Sequence, residues 1–448
     1  MDDNYSTTAF GSLRAYSSKL VSMNLLPSSA YSVTILDAAG IEALPPPLAD
    51  EERRARRWVA ALTRHGPGHF IDNADVTARG LNINGKVLPF VLAHGASGNT
   101  DVCSAYSHYV GYTLEEFTKR HRRVPLILLR TLMLPLTTVL QAWSIDRIAF
   151  VNNWLFATNP SHGLSSDEIE AVTAHLVKAC PDAAIVFRSL NPYLDPDGIE
   201  QMRKMGYRFV RSRRVYLVDA RTTYYLRHTN VRNDRRLLER TPYQIVDDPE
   251  LLVPHTARLA ELYRGLYLFK HSQLNPQLNE HFFALTLTER ILTYRGLVRN
   301  GRVDGFVAFF EGEGVVTGAI LGYDLEVPAR AGLYRMLFAL LLAEGARRHR
   351  FVNLSAGADH FKVLRGGAPV EECDAVFDRH LPLRRRLAWS SLRGATKLWA
   401  RARRAPAAAG APRELTQVYW DLAWKRIWRP HTENPWFPYH AEASDVLR

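Results

Sequence analysis

His360, Lys362 and Arg365 lie close together inside the stretch LSAGADHFKVLRGGAPVEECDAVF, which runs from Leu354 to Phe377. A short apolar run, FVNLS, breaks at Ala-Gly-Ala, continues as a helical DHFKVLR, turns at Gly-Gly-Ala-Pro and enters a second apolar run. That pattern reads as strand, turn, short helix, turn, strand. Cations beside a glycine turn suit a phosphate or a carboxylate, and equally suit a solvated connection. Upstream, a meander ends at Tyr323-Asp324 and a proline-containing loop with Arg330 and Gly332 leads into AGLYRMLFALLLAEGARR. A helix start presents free N–H groups and the positive end of the helix dipole. Gly332 would let an anion approach the backbone, with Arg330, Tyr334 and Arg335 as further donors. An ordinary strand-to-helix turn is the competing reading.

The first half holds polar groups among apolar neighbours: Tyr106 and His108 in SAYSHY, Asn152 and Asn153 in FVNNW, and Arg188 on the run AIVFRS. Buried polar groups require partners, so these line a cleft, together with Tyr323, or form a hydrogen-bonded core network. Several chemistries lack their signatures. There is no Walker loop, HExxH, paired CxxC or GxSxG, and the glycines of GEGVVTG sit at a hairpin turn. No metal site is expected.

The elements that must position these residues follow from the pattern. The chain's 448 residues exceed one ordinary domain. After the break EALPPP comes a charged helix packed by Trp58, Val59 and Leu62. Asn84-Gly85 between two alternating apolar runs is a hairpin signal, because a type I′ turn needs positive φ at both central residues. DRIAFVNN and AAIVFRSL read as strands. SSDEIEAVTAHLVKAC between them reads as a helix capped by Ser166 or Asp167, and DPDGIEQMRKMG as a helix ending at Gly206. RHTNVRNDRRLLER is a basic helix with Arg232, Arg235 and Arg236 on one side and Val231, Leu237 and Leu238 on the other. From there the order of hairpin, helix, strand, helix, strand repeats, which suggests an internal duplication. VPLILLRTLMLPLTTVL, with Arg130 and two prolines inside it, reads as a buried helix or helix-strand pair rather than a membrane span. The acidic start MDDNYSTTAF lacks the features of a signal peptide, and Cys103, Cys180 and Cys373 are far apart; both point to a reducing, cytoplasmic compartment.

The order of meander, glycine-initiated helix, strand, and short helix with Phe361-Lys362 resembles the GNAT acyltransferase fold, in the branch of Fem-type peptidyltransferases and tandem GNAT proteins. Gly332 and Gly345 stand where that branch opens and closes its long helix, and RHTNVRNDRR resembles the arginine-rich helix that opens its second domain. The resemblance implies an α/β fold of two GNAT-like mixed-sheet domains in tandem. They would span residues 30–220, as a degenerate copy, and 221–380, as the acyltransferase domain, after an arm of residues 1–29. It implies transfer of an acyl group from a CoA-type thioester to a small-molecule amine. Arg330-Ala331-Gly332 is one residue tighter than the usual pyrophosphate signature, which keeps aminoacyl-tRNA in play as the donor. A non-catalytic scaffold is the reading from outside the enzymes. For the base that deprotonates the acceptor, the candidates are Glu311, His360 and Asp324. Lys362 and Arg365, with Arg330, Gly332, Tyr334 and Arg335, would hold the donor.

Residues 381–448 form a basic and aromatic-rich tail. From Arg379 to Arg413 there are ten basic residues and no acidic one; setting them aside, the net charge of +12 falls to about +2. PLRRRLAWSSLRGATKLWARARR reads as an amphipathic basic helix with Leu387, Trp389, Leu392, Leu398 and Trp399, and Trp420, Trp424, Trp428 and Trp436 follow. Three readings stand for this tail: peripheral contact with anionic lipid, contact with tRNA through phosphates and stacking, or a solvated linker.

Overall fold

The structure, a computed structural model, describes residues 31–47, 49–95, 98–115, 126–312 and 314–402. The arm expected over 1–29 and the aromatic-rich end of the tail lie outside those residues. The first half runs β1 (Val33–Leu36), α1 (Ala38–Glu42), α2 (Asp50–His65), β2 (Thr77–Ile83), β3 (Lys86–His94), α3 (Leu126–Ala142), β4 (Arg147–Val151), α4 (Ser166–Ala179), β5 (Ala184–Leu190), α5 (Pro196–Met205) and β6 (Arg208–Asp219). The second runs α6 (Thr229–Glu239), β7 (Gln244–Val246), α7 (Pro249–Leu252), α8 (Thr256–Arg264), α9 (Glu280–Thr288), β8 (Thr293–Arg299), β9 (Arg302–Gly312), β10 (Val315–Tyr323), α10 (Leu333–Arg347), β11 (Phe351–Asn353), α11 (Asp359–Val363) and β12 (Ala368–Phe377). A last helix, α12 (Leu383–Ala402), follows.

All twelve strands join one mixed sheet in the order β1-β2-β3-β4-β5-β12-β6-β11-β10-β9-β8-β7. Within each half the first four strands are antiparallel and the fifth is parallel to the fourth, reached through a helical crossover: α4 between β4 and β5, α10 between β10 and β11. The sixth strands are traded. β12 pairs with β5, β6 pairs with β11, and the two pair antiparallel with each other at the centre. The duplication suggested by element order is therefore present as a pseudo-twofold sheet. The boundary expected at 220/221 falls in the turn after β6, and each half's sheet is completed by a strand of the other.

Charge complements that central pairing. β6 carries Arg208, Arg211 and Arg213, while β12 and its end carry Glu371, Glu372 and Asp378. Arg208 meets Asp378 at 3.0 Å and Arg213 meets Glu372 at 3.0 Å, with Arg211 paired to Glu371. Like charges set opposite each other destabilise a ladder, so pairing β6 with a copy of itself would be penalised.

Strand alternation divides the core. Along β9, Phe306, Ala308 and Phe310 face one side, Val307 and Phe309 the other. The first side is a single apolar core shared by both halves. Trp58 of α2 lies 5.8 Å from Phe282 of α9, and Phe156 lies 4.9 Å from Phe310. The opposite side has two separate cores, one under α4 and α5 and one under α6 and α10. Trp58, Val59 and Leu62 are all buried.

The Asn84-Gly85 turn has φ of 50° and 97°, as a type I′ hairpin requires. The apolar stretch from 124 to 140 is largely one helix, α3, with Pro135 inside it. The cap of α4 is Ser165, one residue before the expected position, because its hydroxyl and Glu168 form a reciprocal capping box. Among the described residues no helix is long and apolar enough to cross a membrane.

Candidate functional site

The parallel ladder between β10 and β11 is short: Val315, Val316 and Thr317 face Phe351, Val352 and Asn353. Beyond it β10 continues to Tyr323 along β9, with an irregularity between Gly318 and Ile320. The other strand turns away, and the Leu354 N–H donates to the Tyr216 carbonyl on β6 at 2.8 Å. The strands thus part into a wedge. Tyr323, Tyr334 and Phe361 form its aromatic wall, with ring centres 5.7 Å and 4.6 Å apart, and Phe338 backs Phe361 at 5.0 Å.

Lys362 sits beside the end of β11, 2% exposed. Its Nζ donates to the carbonyls of Ser355, at 3.0 Å, and Ala356, at 2.6 Å. Burial pulls its pKa down to about 7; Arg213 adds to the effect and Asp359 opposes it. A neutral amine has two N–H donors and one lone pair. Two carbonyls take the donors, so the lone pair is left to accept a proton near neutral pH. The peptide that supplies these carbonyls is shaped by Ser355 and Ala358, both at positive φ (60° and 50°).

At the start of α10, Gly332 has φ 71° and provides no side-chain cap. A Cβ there would come within 2.5 Å of Leu237 on α6. Only glycine combines that backbone with so close a neighbour. Arg330 is exposed. Arg335 and Arg365 converge on one buried carboxylate instead of an open anion site: Asp234 of α6 accepts from both at 2.6 Å. Arg365 also lies 3.4 Å over the Phe361 ring. Asp234 is the residue that sequence reasoning passed over, because an acid within RHTNVRNDRR looks like part of a solvated face. Arg232, Arg235 and Arg236 are exposed, as the spacing places them.

The three carboxylate and imidazole candidates are not brought together. Glu311 faces Val316, at the far end of β10 from Tyr323. Seven residues of strand, roughly 20 Å, separate it from the mouth of the wedge. Its carboxylate meets Arg348 at 2.7 Å and accepts from Thr293. Asp324 accepts from Arg258 at 2.6 Å, from Arg302 at 2.7 Å and from the Glu326 N–H. Burial pushes its pKa up, yet those bonds and the arginines outweigh it and hold the carboxyl below its usual value. His360 is exposed on the first turn of α11.

The polar residues of the first half form a network. Asn153 accepts from Arg188 at 3.3 Å, and Asn152 accepts from the Trp154 indole at 2.9 Å and donates to the Pro160 carbonyl. His108 reaches Ser212 of β6 at 2.8 Å, and the Tyr106 N–H donates to Asp146 at 2.9 Å. Tyr109 donates to Asp374 of β12 at 2.8 Å. Arg213 joins the halves: besides Glu372 it binds the Ala157 carbonyl and Thr158, whose hydroxyl lies 3.1 Å from that of Ser355. Tyr267 stands in the field of Arg213 and Tyr323 and bonds to the backbone of Leu321; burial pushes its pKa up to about 12. It rides on a π-helical turn, Gly265–Phe269, and His108 and Tyr109 ride on another, Ser107–Gly111. Such turns recur at functional sites. A separate cavity of about 400 Å³ lies on the outer side of α10, between Ala343 and Tyr225, away from the wedge.

No family model matches the chain, and no curated protein matches it. Among solved structures, FemX is similar over 78% of this chain and 98% of its own, at 8% identity and a TM-score of 0.41. A tandem GNAT protein from the clavulanic acid biosynthesis pathway is similar over 78% of this chain and 98% of its own, at 12% identity and a TM-score of 0.35. L-PGS from Bacillus licheniformis is similar over 51% of this chain and 78% of its own, at 17% identity and a TM-score of 0.36. The first two are of the Fem and tandem GNAT kinds that the sequence resembles. At TM-scores this low the likeness has no weight for chemistry.

Proposed function

We propose that the protein is an N-acyltransferase that moves an acyl or aminoacyl group from a thioester or ester donor to an amine, at the wedge between β10 and β11. The observation that carries this reading is the buried Lys362 amine, held by two carbonyls at the point where the strands part. The acceptor nitrogen attacks the donor carbonyl and a C–N bond forms. The C–S or C–O bond then breaks, the nitrogen sheds a proton, and the leaving group takes one up. A lone pair poised near neutral pH can do both proton steps. The β10 edge beyond Thr317, left by β11, is where backbone N–H groups could meet the carbonyl oxygen.

A CoA-type thioester is the first donor to test. Aminoacyl-tRNA is the second, favoured by one feature: Arg335 and Arg365 are both engaged by Asp234, which leaves less fixed positive charge for a pyrophosphate beside α10. Acetyl-CoA, a long-chain acyl-CoA and aminoacyl-tRNA would each be titrated into wild type and Lys362→Met, with amine acylation followed by mass spectrometry. A donor that both proteins bind, but that Lys362→Met turns over about 10²–10⁴-fold more slowly, supports the reading. Salt-sensitive tRNA binding without CoA binding selects the second donor. Silence with all three favours a non-catalytic scaffold.

A further inference from the structure

Helix α12 divides its apolar residues between two opposite faces. Ala388, Trp389 and Leu392 point inward, each 4% exposed or less, and the guanidinium of Arg385 is sunk onto the carbonyls of Asp182, Ser144 and Arg147. Leu383, Leu387 and Leu398 point the other way and are 67%, 44% and 64% exposed. At about 100° per residue these three leucines and Gly394 fall within an arc of roughly 60°. Arg384 flanks that stripe on one side; Arg386, Arg393 and Lys397 flank it on the other. No acidic residue occurs from Arg379 to Arg413.

A helix needs one apolar face to pack on its own protein. A second apolar stripe, in water and bordered by cations on both sides, has the arrangement of a helix lying in a bilayer interface. Leucines enter the acyl boundary, while arginine and lysine stems run up to the headgroup phosphates. We propose that the outward face of α12 docks on an anionic lipid surface. Charge complementarity commits it to that partner: the flanks carry only cations, each contributing attraction to an anionic leaflet. RNA fits less well. Leucines gain nothing from a phosphate backbone, and Trp389, the aromatic side chain described on α12, faces inward and is closed to stacking bases. This inference is independent of the acyl-transfer reading, and neither fails with the other.

The test is flotation of the full chain with vesicles of phosphatidylcholine alone and of phosphatidylcholine with about one third phosphatidylglycerol. Wild type is expected to float with the anionic vesicles, to remain behind with the neutral ones, and to bind less at high salt. Leu383→Ser/Leu387→Ser/Leu398→Ser should weaken binding by at least about tenfold with an unchanged melting temperature, since all three side chains are exposed. Arg384→Gln and Lys397→Gln should each weaken it by about fivefold. The proposal is overturned if the triple-serine variant binds as tightly as wild type. It is also overturned if wild type is a dimer that the same variant makes monomeric, or if structured RNA binds wild type and triple-serine variant alike and releases both from the vesicles.

Discussion

The same junction occurs twice in this molecule and is finished in two ways. In each half a pair of parallel strands separates and a crossover helix begins nearby. In the first half the opening after β4 is occupied by the chain's own loop. Trp154, Leu155 and Phe156 are buried there, Arg188 is tied to Asn153, and α4 starts on a complete capping box. In the second half the loop is replaced by an aromatic wall, a buried amine, and a helix that starts on a bare glycine. Self-satisfaction makes the first junction a piece of structure. The second leaves backbone N–H groups at the start of α10 without a side-chain cap and an amine buried away from water, both at a cost in stability. Costs of this kind on one side of a duplicated sheet suit the site proposed above.

The contrast is sharpest in its pH dependence. An unfolded Lys362 titrates at its ordinary 10.5, whereas burial holds the folded one at about 7. Between those values the unfolded chain binds more protons, so stability rises with pH from about 7 towards 10.5. Below 7 both states are charged and the full burial penalty is present. Lys362→Met should remove this component. The stability gap between variant and wild type is expected to favour the variant by up to roughly 5 kcal/mol at pH 6.5 to 7 and to shrink by pH 9.5. Denaturant unfolding of both proteins at each pH checks this, and taking the difference cancels the buried tyrosines. A gap that stays constant with pH would mean that the amine is not depressed and that the two junctions differ less than their geometry suggests.

Asp234 gives the next largest effect. In the first half a serine caps the helix start; in the second no side chain does, and Asp234 of α6 instead clamps Arg335 and Arg365 with one carboxylate. Asp234→Ala leaves Arg365, with 5% of its side chain exposed, without its acid. A loss of about 3–5 kcal/mol is expected in denaturant unfolding. Arg365→Met in the same background should recover part of it, because the stranded charge is then gone. No recovery would show that Asp234 acts through packing rather than as the counter-ion.

Much of this comparison was legible in the sequence. Asn84-Gly85, the alternating runs and the glycine at 332 announce their elements locally, and the repeated element order announces the duplication. The traded strands were not legible. β6 and β12 alternate in the same way whichever half they complete, so periodicity cannot tell a self-contained sheet from an exchanged one. Charge marks the two as neighbours, RFVRSRR against VEECDAVFD being a basic strand facing an acidic one, but they would adjoin in a self-contained arrangement as well. Glu311 illustrates another limit. It lies near the end of β9, beside the turn into β10, and antiparallel register sets it at the opposite end of β10 from Tyr323. Lys362 was legible as a cation near a glycine turn. Its burial, which converts it from a phosphate ligand into a candidate base, depends on Tyr216 and Phe338, which arrive from distant parts of the chain.

The smallest effect isolates the caps themselves. Ser165→Ala removes one half of the box on α4 and should cost about 1 kcal/mol. On the proposed function the first junction supplies no reacting group, so turnover per folded molecule should be unchanged. The partner experiment adds the missing feature to the second junction. Gly332→Ser would bring a hydroxyl near the start of α10, but its Cβ would also meet Leu237 and a backbone at φ 71°, so it should lose more stability than the serine cap restores. Donor affinity should fall with it, because a seryl side chain would then stand where the N–H groups are open. If Ser165→Ala lowered turnover as much as Gly332→Ser, the first junction would also take part in the chemistry. The division into one structural and one working junction would then be lost.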